Sequence, residues 1–255
     1  MVRFSFMQNF ITGLQFLTRL KFVEEKEWTA EKFSGSVKFF PLVGAVIGFL
    51  FALFTYIILQ YFPEIGVNIS PILYATFMIF LWVFLTGALH CDGFMDTMDG
   101  VFSGRSREKM LIIMKDSCVG ANGVVGFFLL ALSKWSLLFE IAQTSNIIVA
   151  VFVMPIIARC MMVVGITLFP YARPEGLGKY FATYVNKKTL FVALVLTVFL
   201  LIPCGIRAML SMFIAIIFTM FFCQYITKQL GGLTGDVYGA LTEITEVIVL
   251  LTFLR

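Results

Sequence analysis

Long apolar runs at about residues 39–61, 70–89, 119–139, 147–169, 189–203, 208–226 and 240–254 make up most of the chain, with short polar breaks between them. Most approach the ~20 apolar residues a helix needs to cross the hydrocarbon core of a bilayer. The pattern therefore predicts an all-α fold, a polytopic membrane helix bundle of about seven transmembrane helices. Ahead of the first run, Phe6, Phe10, Leu14 and Leu17 recur at helical spacing, with Arg3, Arg19 and Lys21 at the ends of the stretch. Residues 4–22 are thus predicted to form an amphipathic helix on the membrane surface. The polar stretch that follows, VEEKEWTAEKFSGSVK at 23–38, reads most simply as a loop.

Composition fixes the class. With 60% hydrophobic residues, 13% charged residues and 30 Phe in 255 positions, the chain is not a soluble protein, and 1–255 reads as one integral membrane domain whose partner is the lipid bilayer. A net charge of +4 would suggest nucleic acid in a soluble domain, but here the basic residues collect in loops and report orientation, so no nucleic-acid partner is expected. Six Lys and Arg precede the first run, four lie at 105–115, four at 173–188, and Lys228 follows the sixth run, whereas 62–69 and 141–146 carry none. Cytoplasmic loops retain basic residues, which predicts N-in, C-out. Five cysteines, an odd number with no CxxC pair, argue against a disulfide framework and against zinc. The start, MVRFSFMQNF, has no small-residue cleavage site, so no cleaved signal peptide is expected.

Against this apolar background the acidic motif at 90–116 stands apart: HCDGFMDTMDG, then a short basic helix ending KDS. Asp92, Asp96 and Asp99 are spaced i, i+4, i+7, within about 60° of one another on a helix. Carboxylates on one stripe repel, and an unpartnered cluster at a membrane boundary is costly. A divalent oxygen-liganded ion such as Mg²⁺ is the natural counter-charge, so these three are the predicted metal ligands. A solvated helix face is the plainer alternative. Gly93 and Gly100 weigh against it, because each costs about 1 kcal/mol relative to Ala in a helix and is better understood where the backbone approaches a helix or ligand closely. His90 reads as an interfacial polar residue or cap partner, since Mg²⁺ prefers oxygen.

The segment SGRSREKMLIIMKDS starts a helix at Ser103 or Ser106 and buries Met110, Ile113 and Met114. Lys115 and Asp116 close it at the level of the stripe, Lys115 to hold a phosphate and Asp116 as a further metal ligand or a base. Gly120, Gly123 and Gly126 follow at every third position, the spacing of tight helix packing in a bilayer. A second acidic segment, GGLTGDVYGALTEITE at 231–246, falls on the same membrane side by the charge count. Its Gly231, Gly232 and Gly235 form a candidate phosphate-binding loop ahead of a helix start. Asp236 and Glu243 share a face at i, i+7, and Glu246 lies deeper, about 15 Å along the helix, with Arg159 as a candidate internal partner. Two acidic segments on one side of one membrane suggest a single site built from both.

Together, GALHCDGFMDTMDGVFSG, IMKDSCVGANGVVG and GGLTGDVYGALTEITE, with LQFLTRL near the start and FFPLVGAVIG opening the first apolar run, resemble the adenosylcobinamide-GDP ribazoletransferase (cobalamin synthase) family. The resemblance covers nearly the whole chain in order and departs at Asn122, where an aromatic is expected, and at Cys91, usually apolar. It implies a Mg²⁺-dependent transferase of the cell inner membrane, acting in cobalamin biosynthesis with its site facing the cytoplasm. That enzyme joins adenosylcobinamide-GDP to α-ribazole or its 5′-phosphate with release of GMP; a homo-oligomer is compatible with it. On that reading Asp92, Asp96, Asp99 and Asp116 hold one or two Mg²⁺ ions on the pyrophosphate, Lys115 offsets a further oxygen, and the base is Asp116, Asp99 or Asp236. A CDP-alcohol phosphotransferase of lipid synthesis would use the same metal logic, but its full DGxxAR signature is absent. An ion-coupled transporter should spread its acids near the midplane, whereas most here cluster at one interface.

Overall fold

The computed structural model describes residues 6–23 and 29–254, with no side-chain description for Leu177; Arg3, residues 24–28 and Arg255 lie outside the described residues. The chain is helical, and the described residues contain no strand beyond one isolated bridge. Helix α1 (Phe6–Leu17) is shorter than the amphipathic stretch suggested. Its C-terminal side winds into a cap instead, where Gln15 Oε1 accepts from the N–H of Phe22 and Val23 at 2.9 and 2.7 Å. Leu14 and Leu17 are buried, and Phe6 is exposed.

The polar stretch after α1 is not all loop. Residues Ala30–Val37 form α2, capped by the Thr29 side chain, which accepts from Lys32 N–H. Phe33 and Val37, one turn apart, are both buried, and the Ser34 hydroxyl donates to Tyr180 O at 2.5 Å. Two apolar positions in eight carry too little periodicity to read, yet they suffice once a neighbouring segment covers them.

Next come α3 (Phe40–Tyr56), a π-helical turn (Ile57–Tyr61), the short α4 (Phe62–Glu64), α5 (Pro71–Thr86) and α6 (Leu89–Val101). After them the chain builds α7 (Arg107–Ile113), α8 (Ala121–Ile141), α9 (Ile147–Leu168), α10 (Leu177–Thr183), α11 (Lys187–Leu201), a 3₁₀ turn (Ile202–Cys204), α12 (Ile206–Leu230) and α13 (Gly235–Thr252). Among the described residues five helices are long and apolar enough to cross a membrane, or six if the bent pair α5–α6 counts as one span. The expected count of seven is not confirmed: α13, which carries Asp236, Glu243 and Glu246, is not among these helices. The chain is a multi-pass membrane helix bundle.

The post of the bundle is α9, apolar on nearly every side except for Arg159 and buried along nearly its whole length, as a helix enclosed by others must be. Against it packs α3, whose Gly44 and Gly48 lie on the carbonyls of Pro155 and Phe152, leaving no room for a Cβ. That is the small-residue spacing that lets helices approach in lipid. The other faces of α9 are covered by α11, α12 and α13.

A bend of 92° separates α5 from α6. It is made by two consecutive left-handed residues, Gly87 (φ 63°) and Ala88 (φ 59°). Gly87 and Ala88 N–H close on the carbonyls of Phe84 and Val83, and Asp92 N–H on Ala88 O starts the next helix at once. An L-residue in this region is strained by about 1–2 kcal/mol, so Ala88 holds the corner only because α6 is packed from both sides. The corner turns α6 across the end of α5 instead of continuing it. That places the aspartate motif at one end of the bundle.

Candidate functional site

The two acidic segments meet. Helices α6 and α13 cross so closely that a Cβ on Gly93 would fall 2.9 Å from Asp236 Cα, and one on Gly239 would fall 3.1 Å from the carbonyl oxygen of His90. The glycines of the motif therefore serve helix contact. Asp92 is exposed, Asp96 half-buried, and Asp236 stands half-buried in the first turn of α13 behind its cap Thr234. Asp96 sits past the corner on α6, and Asp236 at the N-terminal end of α13, ahead of its apolar stretch. Burial, then the charges of Asp236 and Asp92, pushes Asp96 up to about 7, with Arg173 pulling the other way. Burial also raises Asp236, against the opposing pull of Arg173.

Arg173 is the cation of this cluster, although in the sequence it is only one of the four basic residues at 173–188. Its Nη2 lies 2.9 Å from Asp236 Oδ2, and its buried Nε has no partner. What puts it there is a stitch between two connections, in which Ala172 N–H donates to Leu233 O at 2.7 Å and Leu233 N–H to Pro170 O at 2.8 Å. This explains two of the three glycines of the expected phosphate loop. Gly232 is pressed against Pro170 O, and Gly231 (φ 75°) is the left-handed cap of α12, closed over by Arg107, whose Nε donates to Leu230 O at 2.6 Å. Only Gly235 lines the cavity next to Asp236.

Asp99 faces elsewhere. It is buried, and its Oδ2 and Oδ1 accept from the N–H groups of Gly120 and Gly123 at 2.7 and 2.8 Å, at the N-terminus of α8. A carboxylate there satisfies orphan amides and the positive end of the helix. Gly120 and Gly123 pack on Asp99, and Gly126 on Met98, so the glycine stripe is a helix-packing surface as its spacing predicts. Lys115 and Asp116 are exposed; Asp116 Oδ1 accepts from Cys118 N–H at 3.0 Å, and among the described residues no hydrogen bond or ion pair joins either side chain to Asp92, Asp96 or Asp236.

Among the described residues no three Asp, Glu, His or Cys side chains already converge as a metal cage. The donor set nevertheless suits Mg²⁺, which commonly takes one or two carboxylates and completes its shell with water and substrate phosphate oxygens. Asp92 and Asp96 are such donors, held in mutual repulsion, and Asp236 lies within electrostatic reach of both.

Below the cluster lies a charged layer. Glu246 pairs with Arg159, as its depth predicts, and also with Lys134 at 2.5 Å; Lys134 pairs with Glu243 in turn. All four are buried, and Lys134 Nζ sits 3.6 Å from the centroid of the Trp82 ring. Two cations and two anions balance, and they tie α13 to α8 and α9. Lys134 was missed, although a lysine inside an apolar run is itself the signal. Removing one partner of such a network strands buried charge. Lys134→Met is therefore expected to cost about 3–5 kcal/mol, seen as a lower melting temperature in detergent; an unchanged melting point would show that the layer does not hold α13.

Residues 9–254 match the family model described as cobalamin-5-phosphate synthase. The chain is 37% identical over 253 residues to an adenosylcobinamide-GDP ribazoletransferase of Desulfitobacterium hafniense, covering 96% of both chains. It is 35% identical to one from Fusobacterium nucleatum (97% of both) and 32% identical to one from Clostridium acetobutylicum (97% of this chain, 96% of the relative). No solved structure matches.

Proposed function

This chain belongs to the cobalamin-5-phosphate synthase family, and from that membership we propose that it joins adenosylcobinamide-GDP to α-ribazole or its 5′-phosphate, releasing GMP. The observation that carries the reading to this site is the meeting of Asp92 and Asp96 on α6 with Asp236 and Arg173 at the start of α13. Neither a CDP-alcohol phosphotransferase nor a transporter is favoured by the family match.

In the transfer, a ribose hydroxyl oxygen bonds to the phosphorus that carries cobinamide, the bond from that phosphorus to the GMP oxygen breaks, and the hydroxyl proton passes to a base. Most of the catalysis is positioning and charge neutralisation. Asp92 and Asp96 would hold Mg²⁺, which when bound neutralises the pyrophosphate and the leaving GMP. Arg173, the half-buried cation beside Asp236, would bind a phosphate oxygen. Asp236 is the proposed base: Arg173 and the Thr234 hydroxyl engage its Oδ2, and among the described residues no hydrogen bond is made to Oδ1. Asp99 acts as a positioning residue, pinning α6 to α8. The test is to supply the purified protein with adenosylcobinamide-GDP, α-ribazole and Mg²⁺. GMP and a cobalamin product are expected; no GMP above the acceptor-free control would overturn the reading.

The acidic end is proposed to face the cytoplasm of the inner membrane, on the basic-residue count, with N-in and, if α13 crosses, C-out. Arg105 and Glu175 are exposed at that end. Replaced singly by cysteine in a cysteine-free background, they are expected to resist an impermeant thiol reagent in intact cells and to react after lysis. Labelling in intact cells would reverse the orientation.

A further inference from the structure

Arg173 meets Asp236 because the connection that carries it is stitched to the one that starts α13, through the Ala172 and Leu233 N–H groups. On the α13 side the stitch runs through Gly231 and Gly232, consecutive residues at positive φ of 75° and 156°. Glycine has more backbone freedom than any other residue, and two in succession leave the course of the chain to be set by its neighbours. Leu230 and Leu233 on either side are fully buried and anchor the ends. The peptide groups between them need a further hold.

Arg107, at the start of α7, supplies it. Its Nε donates to Leu230 O at 2.6 Å, and its Nη2 lies 3.5 Å from Ala172 O. The guanidinium covers Gly231, where a Cβ would fall 2.8 Å from Nε. One planar group thus reaches a carbonyl of each connection. The other end of the same helix meets Arg173 itself, whose Nη2 lies 3.4 Å from the carbonyl oxygen of Met114, the C-cap of α7. Helix α7 therefore touches the stitched connections at both of its ends.

We propose that Arg107 is a positioning residue for the transfer: by bridging Leu230 O and Ala172 O it keeps the stitch in register and so fixes Arg173 on Asp236. The inference rests on the reading that Arg173 and Asp236 serve the transfer. A cation at a helix C-terminus also has a plainer role, offsetting the negative end of α12. The two roles ask for different chemistry. Offsetting the helix end needs a positive charge, which lysine keeps, whereas bracing two carbonyls needs donors spread over a planar fork, which lysine lacks.

The test uses detergent-purified full-length protein, with adenosylcobinamide-GDP and α-ribazole as substrates. Arg107→Lys is expected to keep the parent's melting temperature and to lower kcat at least about tenfold, since a misplacement of about 1 Å can cost about 100-fold. Combined with Arg173→Lys, it should turn over no more slowly than Arg173→Lys alone, because Arg107 acts through Arg173. Hydrogen exchange needs no turnover. The Ala172 and Leu233 amides should exchange at least about tenfold faster in Arg107→Lys than in the parent, with the amides of α13 beyond Val237 unchanged. Parent-like kcat, parent-like exchange at both amides, or a loss of kcat that adds fully to that of Arg173→Lys would overturn the positioning role while leaving the transfer reading intact. No GMP from the parent, together with faster exchange at Ala172 and Leu233 in the variant, would overturn the transfer reading and support the brace.

Discussion

Asp96→Asn is expected to lower turnover by at least about 100-fold, the scale of losing a key electrostatic group, and Asp92→Asn by a similar factor, each with little change in melting temperature. Both side chains are hydrophilic acids at the end of the bundle, Asp92 exposed and Asp96 half-buried. Asn keeps their size and removes the charge that would grip Mg²⁺. Asp99→Asn should behave differently, since both Asp99 oxygens already accept backbone N–H bonds at the start of α8. Asn can keep one of those bonds, so its loss should show first as reduced stability. Acid adds a second reading: with Asp96 raised to about 7, a proton competes with the cation below neutrality, and the Mg²⁺ concentration for half-maximal rate should rise as pH falls through 7. Near-normal turnover in both Asp92→Asn and Asp96→Asn would remove the metal role from α6.

Much of this site was legible in sequence, and the parts that were not share a physical reason. Spacing i, i+4, i+7 reports one helix face but not how many neighbours that face meets. Helix α6 is gripped on one side by α13 and on the other by α8, so Asp92 and Asp96 stay with Asp236 while Asp99 turns to the amides of Gly120 and Gly123. The pairing of Glu246 with Arg159 was readable because charge at depth must find its opposite. Lys134 obeys the same rule and was passed over inside a run counted as a span. Arg173 had no local signal; only the stitch between 170–172 and Leu233, a contact across some sixty positions, brings it to Asp236. The corner at Gly87 and Ala88 was hidden because alanine announces no left-handed turn.

The sharing of one site by α6 and α13 predicts a specific failure of additivity. Asp236→Asn is expected to lower turnover per folded molecule at least about 100-fold. The double variant Asp96→Asn, Asp236→Asn should then be little worse than either single one, because groups that act as a unit are lost together. The alternative is physically distinct. Asp236 also sits in the first turn of α13, where a carboxylate stabilises the helix N-terminus by about 0.3–1 kcal/mol, and it pairs with Arg173. If that were its whole role, Asp236→Asn would lower yield or melting temperature, leave turnover per folded molecule nearly unchanged, and add fully to Asp96→Asn. Arg173→Lys separates the two further. Lysine keeps the charge that attracts Asp236 but not the planar fork that can hold Asp236 and a phosphate oxygen at once. A site that uses both should lose turnover with melting temperature preserved, whereas an ion pair that only holds the loop should tolerate the exchange.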